Sequence, residues 1–267
     1  MDNPFVGKLT IGQTLDRGIR LYKKTFKTVF LLLVLPFALG VFNMKYILVP
    51  DPQHPFAFFT PLYFLSMLLG MWSWIVIIRY IYKVSMEETL EFGAIIRLAT
   101  WSDLFLIITG IIWYIMLILG MVALVVPFFY ILNICMVGMV IVIVEKKYFF
   151  NGIGRTFSLT KGKWWKTFVI NIVTLLILSV PAGIGMYFFF VPIMKSSMNT
   201  ASGAAPGGVM TPAAVIGMIV YMVIIALVYP LFVTINVVHY NSLKSEKENI
   251  DISQQLDHLG ETSEKDV

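Results

Sequence analysis

The chain has 267 residues, 58% hydrophobic and only 13% charged, with a mean hydropathy of +0.84 and a net charge of +5. A soluble domain is about half apolar and about a quarter charged, so an ordinary water-soluble fold is excluded. A single cysteine, Cys135, excludes a disulfide framework and a cysteine-based metal site.

The first 27 residues are polar and basic. They do not read as a signal peptide, and the apolar block after them is expected to be retained. Thr10 and Gln13 have capping-box spacing. Ile11, Leu15, Ile19, Tyr22 and Phe26 then follow at steps of three and four, on one arc of about 80° at 100° per residue. Arg17, Arg20, Lys24 and Lys27 take the opposite arc. This pattern predicts a basic amphipathic helix lying in the inner headgroup region.

Six apolar blocks follow: Thr28–Ile47, Phe56–Ile81, Leu104–Val126, Pro127–Val144, Thr167–Met194 and Val209–Val238. Each approaches or exceeds the roughly 20 residues needed to cross a hydrocarbon core. The run Leu104–Val144 would be about 60 Å long as one helix, so it is expected to fold back at Val125-Val126-Pro127. Pro36, Pro181 and Pro230 fall inside spans and are expected to kink them. Small residues such as Gly138, Ala182, Gly183 and Gly185 are expected to permit close packing rather than form a pore.

Polar segments precede the third and fifth spans. Leu90, Ala94, Leu98 and Trp101 share a face, interrupted by Phe92 and Ile96. Phe149, Ile153, Phe157 and Trp164 form a cleaner stripe, after which Trp164 and Trp165 stand where the chain enters the bilayer. The loop Lys195–Pro212 reads as a flexible connector. After Tyr240 the chain turns polar, with one short amphipathic turn at Ile250-Asp251-Ile252 and Leu256 and the rest disordered. The predicted fold is an all-α membrane protein of six transmembrane helices in three hairpins, each preceded by an interfacial amphipathic helix. Its expected divisions are a cytoplasmic helix over 1–27, a six-span membrane domain over 28–240 and a cytoplasmic tail over 241–267.

Eighteen of the twenty Lys and Arg residues fall on one side of these spans, leaving only Lys45 and Lys195 on the other. By the positive-inside rule both termini are cytoplasmic, in a multi-pass protein of the cytoplasmic membrane. The same bias accounts for the net positive charge, so no nucleic-acid partner is expected. Membrane lipids are, and a membrane or cytoplasmic protein is a further candidate.

Catalytic and metal constellations are not evident. His54, His239 and His258 lack ligand spacing, and Glu87, Glu88 and Glu91 read as a solvated acidic face. Gly152-x-Gly154 follows a span rather than a strand, so it is not a nucleotide fingerprint. No cofactor is expected. Arg79, Glu145 and His239 stand at inner ends of spans, and Glu145 is expected to pair with Arg155 or Arg20 and fix how the units dock. Within the spans, Asn133, Asn171, Thr174, Thr234 and Asn236 suit interhelical hydrogen bonds, with pairing of Asn133 and Asn171 plausible. A polar pocket built from Asn133, Asn171 and Asn236 is the other reading.

Two stretches carry a family resemblance. Leu9-Thr10-Ile11-Gly12-Gln13-Thr14-Leu15-Asp16-Arg17-Gly18-Ile19-Arg20-Leu21-Tyr22-Lys23-Lys24-Thr25-Phe26 is one. The other is Glu145 followed by Arg155-Thr156-Phe157-Ser158-Leu159-Thr160-Lys161-Gly162-Lys163-Trp164-Trp165. Both resemble a bacterial and archaeal family labelled the glycerophosphoryl diester phosphodiesterase membrane domain. Val126-Pro127 before Tyr130 and Asn249-Ile250-Asp251-Ile252 are similar to further parts of its pattern, although Phe128 stands where the family usually has glycine. The resemblance implies a six-helix membrane fold. It carries over no catalytic residues, and no phosphodiesterase activity is expected.

The leading functional expectation is a non-catalytic membrane protein that organises anionic lipid or a partner at its inner face. The binding residues would be Arg17, Arg20, Lys24, Lys27, Arg155, Lys161 and Lys163, with Glu145, Trp164 and Trp165 as structural contacts. The alternative is a small-molecule or lipid transporter. An intramembrane enzyme would have only Glu145, Arg155 and His239 to work with.

Overall fold

The computed structural model describes residues 4–48, 61–123, 125–201 and 212–265. Outside it lie His54, positions 202–211 of the expected connector, and the side chains of Lys45, Ile250, Asp251, Ile252, Leu256 and His258. The described chain forms helices α1 (Ile11–Leu48), α2 (Pro61–Ser85), α3 (Phe92–Ile96), α4 (Phe105–Ala123), α5 (Val125–Glu145), α6 (Phe149–Thr160), α7 (Trp164–Ala201) and α8 (Pro212–Lys265). A 3-10 turn, Trp101–Leu104, precedes α4, and no strand occurs among the described residues.

Five stretches are long and apolar enough to cross a membrane: Pro61–Ser85, Trp101–Val122, Pro127–Glu145, Trp164–Pro192 and Val215–Glu248. Helix α1, basic in its first half, is not among them. The surface is unlike that of a water-soluble protein, and several polar side chains lie inside. Leu31, Leu35, Leu119, Val122, Leu176, Val180 and Ile216 are exposed, whereas Arg79, Asp103, Asn133, Asn171 and His239 are buried. In water such an apolar surface would cost roughly 25 cal/mol per Å². The chain therefore has the character of a multi-pass membrane protein.

No helix end falls at two of the expected divisions. Residue 27 lies within α1, because neither Pro nor Gly interrupts the chain from Ile19 to Pro36 and the helix continues through Pro36 itself. Likewise α8 runs past Tyr240 to Lys265, and Asn241, Ser242, Leu243 and Glu246 are buried. The start of the expected polar tail is thus part of the packed fold, held by partners described below. The expected amphipathic helix before the third span is reduced to the five residues of α3 and the 3-10 turn. Thr100, which separates them, donates from its backbone N–H (2.6 Å) and its hydroxyl (3.0 Å) to Asp103 Oδ2.

The chain divides into two compact units. The first comprises Met1–Leu21, Ile78–Ile172 and Val233–Val267. Within it α4 and α5 pack antiparallel, with Gly120 against Phe128 and Gly138 against Trp113. A Cβ on Gly138 would stand 2.9 Å from the Trp113 ring and 3.0 Å from Thr156, so only glycine lets both α4 and α6 lie this close to α5. Trp113, Ile134, Cys135 and Ile153 form the buried core here. The link into α6 is strained: Lys146 (φ 53°) and Phe149 (φ 55°) are both left-handed, at roughly 1–3 kcal/mol each. The Phe149 N–H is held by the Thr109 hydroxyl at 2.9 Å.

The second unit comprises Tyr22–Ile77 and Val173–Phe232. Its α7 and α8 segments meet through Gly185 against Tyr221 and Gly217 against Phe188, and Phe189 stacks on Tyr221 at 5.6 Å. An apolar cavity of about 180 Å³ lies between Phe30, Val34, Phe37, Ile219 and Val223.

Candidate functional site

Among the described residues of the first unit, three clusters centre on largely buried carboxylates. In the first, Arg79 and Asp103 form a two-pronged ion pair, with Nη1 2.7 Å from Oδ2 and Nη2 on Oδ1. The guanidinium also donates to the carbonyls of Ile143 (3.0 Å) and Leu98 (2.6 Å), and the Tyr148 hydroxyl donates to Asp103 Oδ1 at 2.6 Å. Burial, and then the Asp103 carboxylate, raise the Tyr148 pKa, so its phenol keeps the proton this bond needs. One buried pair therefore ties together α2, the 3-10 turn before α4, the end of α5 and the link into α6. Nearly every polar atom in it is engaged, which suits a clasp rather than a reactive centre.

The second cluster centres on Glu145 at the end of α5. Arg155 Nε donates to its two oxygens at 3.1 and 2.9 Å, Lys147 Nζ lies 3.2 Å away, and the Tyr240 hydroxyl donates at 3.1 Å. Burial works against the charged form of Arg155, but the Glu145 carboxylate more than offsets it and raises the guanidinium pKa. Of the two partners expected for Glu145, Arg155 is the one in place. Arg20 pairs instead with Asp16 on its own helix at 2.8 Å.

The third cluster joins the start of α7 to α8. Glu246 accepts a hydrogen bond from Lys166 at 2.6 Å and forms an ion pair with Lys163 at 2.7 Å. The Ser242 hydroxyl accepts Lys166 Nζ and the Leu9 N–H, both at 3.2 Å. Further along the same helices, Thr167 meets His239 Nε2 at 2.9 Å. The Thr167 hydroxyl also donates to the Lys163 carbonyl at 3.2 Å, leaving the His239 Nε2–H to donate into it. Asn171 Nδ2 donates to Asn133 Oδ1 at 3.1 Å, and Asn133 Nδ2 to the Phe129 carbonyl at 2.8 Å. The amide pair thus joins α7 to α5. Asn236 is buried on α8. A double-mutant cycle with Asn133→Ala and Asn171→Ala should give a coupling of about 0.6–1.7 kcal/mol in detergent unfolding, the range of interhelical hydrogen bonds in membranes. Additive losses would break the pairing.

Helix α1 presents three separate arcs. Thr14, Gly18, Leu21 and Thr25 are buried along one side. Ile11, Leu15, Ile19, Tyr22 and Phe26 are partly or fully exposed beside it. Arg17 is half-buried, and Arg20, Lys24 and Lys27 are exposed on the third arc. The buried side is therefore the small-residue arc, not the apolar one. Thr10 and Gln13 close the start of the helix reciprocally, at 2.9 and 3.3 Å. Lys161 is exposed beyond α6 and Lys163 is partly buried against Glu246. Trp164 stacks on Tyr130 and Phe168 at 5.7 and 5.2 Å, whereas Trp165 is 70% exposed.

Sequence reasoning does not single out Asp103, Tyr148, Lys166, Thr167, Ser242 or Glu246. Spacing does carry a signal for some of them: Lys163, Thr167 and Asn171 recur every four residues, and His239, Ser242 and Glu246 every three or four. No family model, curated protein or solved structure matches the chain.

Proposed function

We propose that this is a non-catalytic protein of the cytoplasmic membrane that gathers anionic lipid, or docks a partner, on a basic inner face. In this reading α1 supplies a sixth span after its amphipathic start, both termini are cytoplasmic, and α6 lies at the interface. The protein would belong with the six-helix membrane-domain family it resembles, without a phosphodiesterase activity. The observation that carries the reading is the order of arcs on α1. An apolar arc and a cationic arc, both at least partly exposed, lie on opposite sides of the helix, and the buried small-residue arc between them is used for packing. A helix so divided can sink its apolar arc among acyl chains while its cations reach headgroup phosphates. Each cation near an anionic leaflet contributes about 1 kcal/mol, so Arg17, Arg20, Lys24 and Lys27 together are substantial even after salt screening.

The test uses the full chain in nanodiscs or detergent with phosphatidylglycerol or phosphatidylcholine. Retention of phosphatidylglycerol should exceed that of phosphatidylcholine and fall as salt rises. Substituting Gln at Arg17, Arg20, Lys24 and Lys27 should remove most of the difference. Equal retention of the two lipids by the native chain would refute the lipid reading. The transporter alternative draws on buried polar groups in the spans. Pairing of Asn133 with Asn171 favours packing over a solvated path for those two side chains.

A further inference from the structure

We infer that the cavity between the N-terminal segment, the link into α7 that carries Lys163 and the part of α8 that carries Glu246 binds the phosphate of one anionic phospholipid headgroup. The inference rests on the lipid reading above and gives it a place. The cavity measures about 560 Å³ and is lined by Lys8, Thr10, Ile11, Lys163, Lys166 and Glu246, among others. Three lysines face one carboxylate, leaving an excess of two positive charges. Glu246 draws the Lys163 and Lys166 ammonium groups together at 2.7 and 2.6 Å, so the cationic wall is assembled before a ligand arrives. The Lys163 side chain is 40% exposed, so an anion can reach its ammonium group beside Glu246, whereas Lys166 is 17% exposed and is anchored on Ser242 as well.

The opposite wall is equally fixed. The Leu9 N–H donates to Ser242 at 3.2 Å, which ties the segment before α1 onto α8. The Thr10 and Gln13 N–H groups are already taken by the reciprocal cap, and Ile11 begins a 38-residue helix whose other first-turn amides, those of Ile11 and Gly12, and dipole favour an anion. Lys8 is exposed on this wall and makes no ion pair among the described residues. Compact ammonium groups suit phosphate as point charges. Trp165 stands between Lys163 and Lys166 in sequence and is 70% exposed, as an indole at headgroup level would be. A ligand moving in the plane of the bilayer would therefore meet this opening.

The experiment is titration of the full chain in detergent with phosphatidylglycerol, phosphatidylcholine and inorganic phosphate, read by native mass spectrometry alongside thermal unfolding. The native chain should saturate with one tightly held phosphatidylglycerol. Lys8→Gln should weaken it about fivefold, and Lys163→Gln with Lys166→Gln about twentyfold or more, at roughly fivefold per lysine. Glu246→Gln should tighten it, because the carboxylate competes with phosphate for both ammonium groups. Lys8→Gln breaks no ion pair, so it decides the matter if the other variants unfold. A native preference for phosphatidylglycerol that Lys8→Gln and the double variant leave unchanged would overturn this site while the wider lipid reading stands. No preference in the native chain would end both. Displacement of the lipid by inorganic phosphate as readily as by phosphatidylglycerol would overturn the lipid assignment in favour of a soluble phosphate.

Discussion

Asp103→Ala is expected to cost about 3–5 kcal/mol of stability, among the largest effects of any single substitution here. The Arg79 and Asp103 side chains are 7% and 3% exposed, so the variant leaves a guanidinium buried with only the Ile143 and Leu98 carbonyls to satisfy it. It also frees the Tyr148 hydroxyl and the Thr100 N–H, each of which donates to that carboxylate. Tyr148→Phe removes one neutral donor and should cost only about 1–2 kcal/mol. Arg79→Met combined with Asp103→Leu removes both charges together and should recover much of the loss, because a buried pair contributes less than the penalty of leaving half of it behind. Chemical unfolding of the detergent-solubilised chain measures all of these variants. If Asp103→Ala shifts stability by less than about 1 kcal/mol, the pair is solvated and the clasp is not what joins α2 to α4.

The same residues show how much of the fold is legible in the sequence. Hydropathy averages over about twenty positions, so the apolar blocks are plain, and so are the ends at which Arg79 and Asp103 stand. It does not reveal which charge near a span end turns inward. By hydropathy Arg79 is only a topology marker, and Asp103 carries no signal at all. Glu145 and Arg155 are legible because they bracket a short link and must lie at similar depth, and Asn133 and Asn171 because two amides in adjoining spans have few other partners. The docked part of α8 is not. Ser242 and Glu246 sit in a polar stretch whose average hydropathy matches a solvated tail, and only their partners on α7 and before α1 show that they are buried. The arcs of α1 are half legible. Ile11, Leu15, Ile19, Tyr22 and Phe26 mark an apolar face, but Thr14, Gly18 and Thr25 contribute little hydropathy. Their signal is small residues recurring on one side of a helix, which favours close backbone approach in a membrane.

Gly18→Ala tests that close approach, and its sign is the informative part. At an open site mid-helix an alanine gains about 1 kcal/mol over glycine. Gly154, exposed within α6, is such a site, since a Cβ there would meet nothing within 4 Å. Gly154→Ala should therefore stabilise the chain. A Cβ on Gly18 would lie 2.6 Å from Ile235 Cγ1 and 2.9 Å from Ile235 Cα. The side-chain atom can turn aside but the backbone atom cannot, so α1 must retreat from α8. Overpacking of this kind costs about 1–3 kcal/mol, enough to cancel the propensity gain and leave a net loss. Gly18→Leu should lose more, and Ile235→Ala should rescue only part of either, because the clash with the α8 backbone persists. Thermal unfolding of the Gly18 and Gly154 variants side by side decides the point. Should both alanines raise stability alike, α1 does not rest on Ile235. The cationic arc would then lose the fixed bearing that a lipid-gathering surface requires.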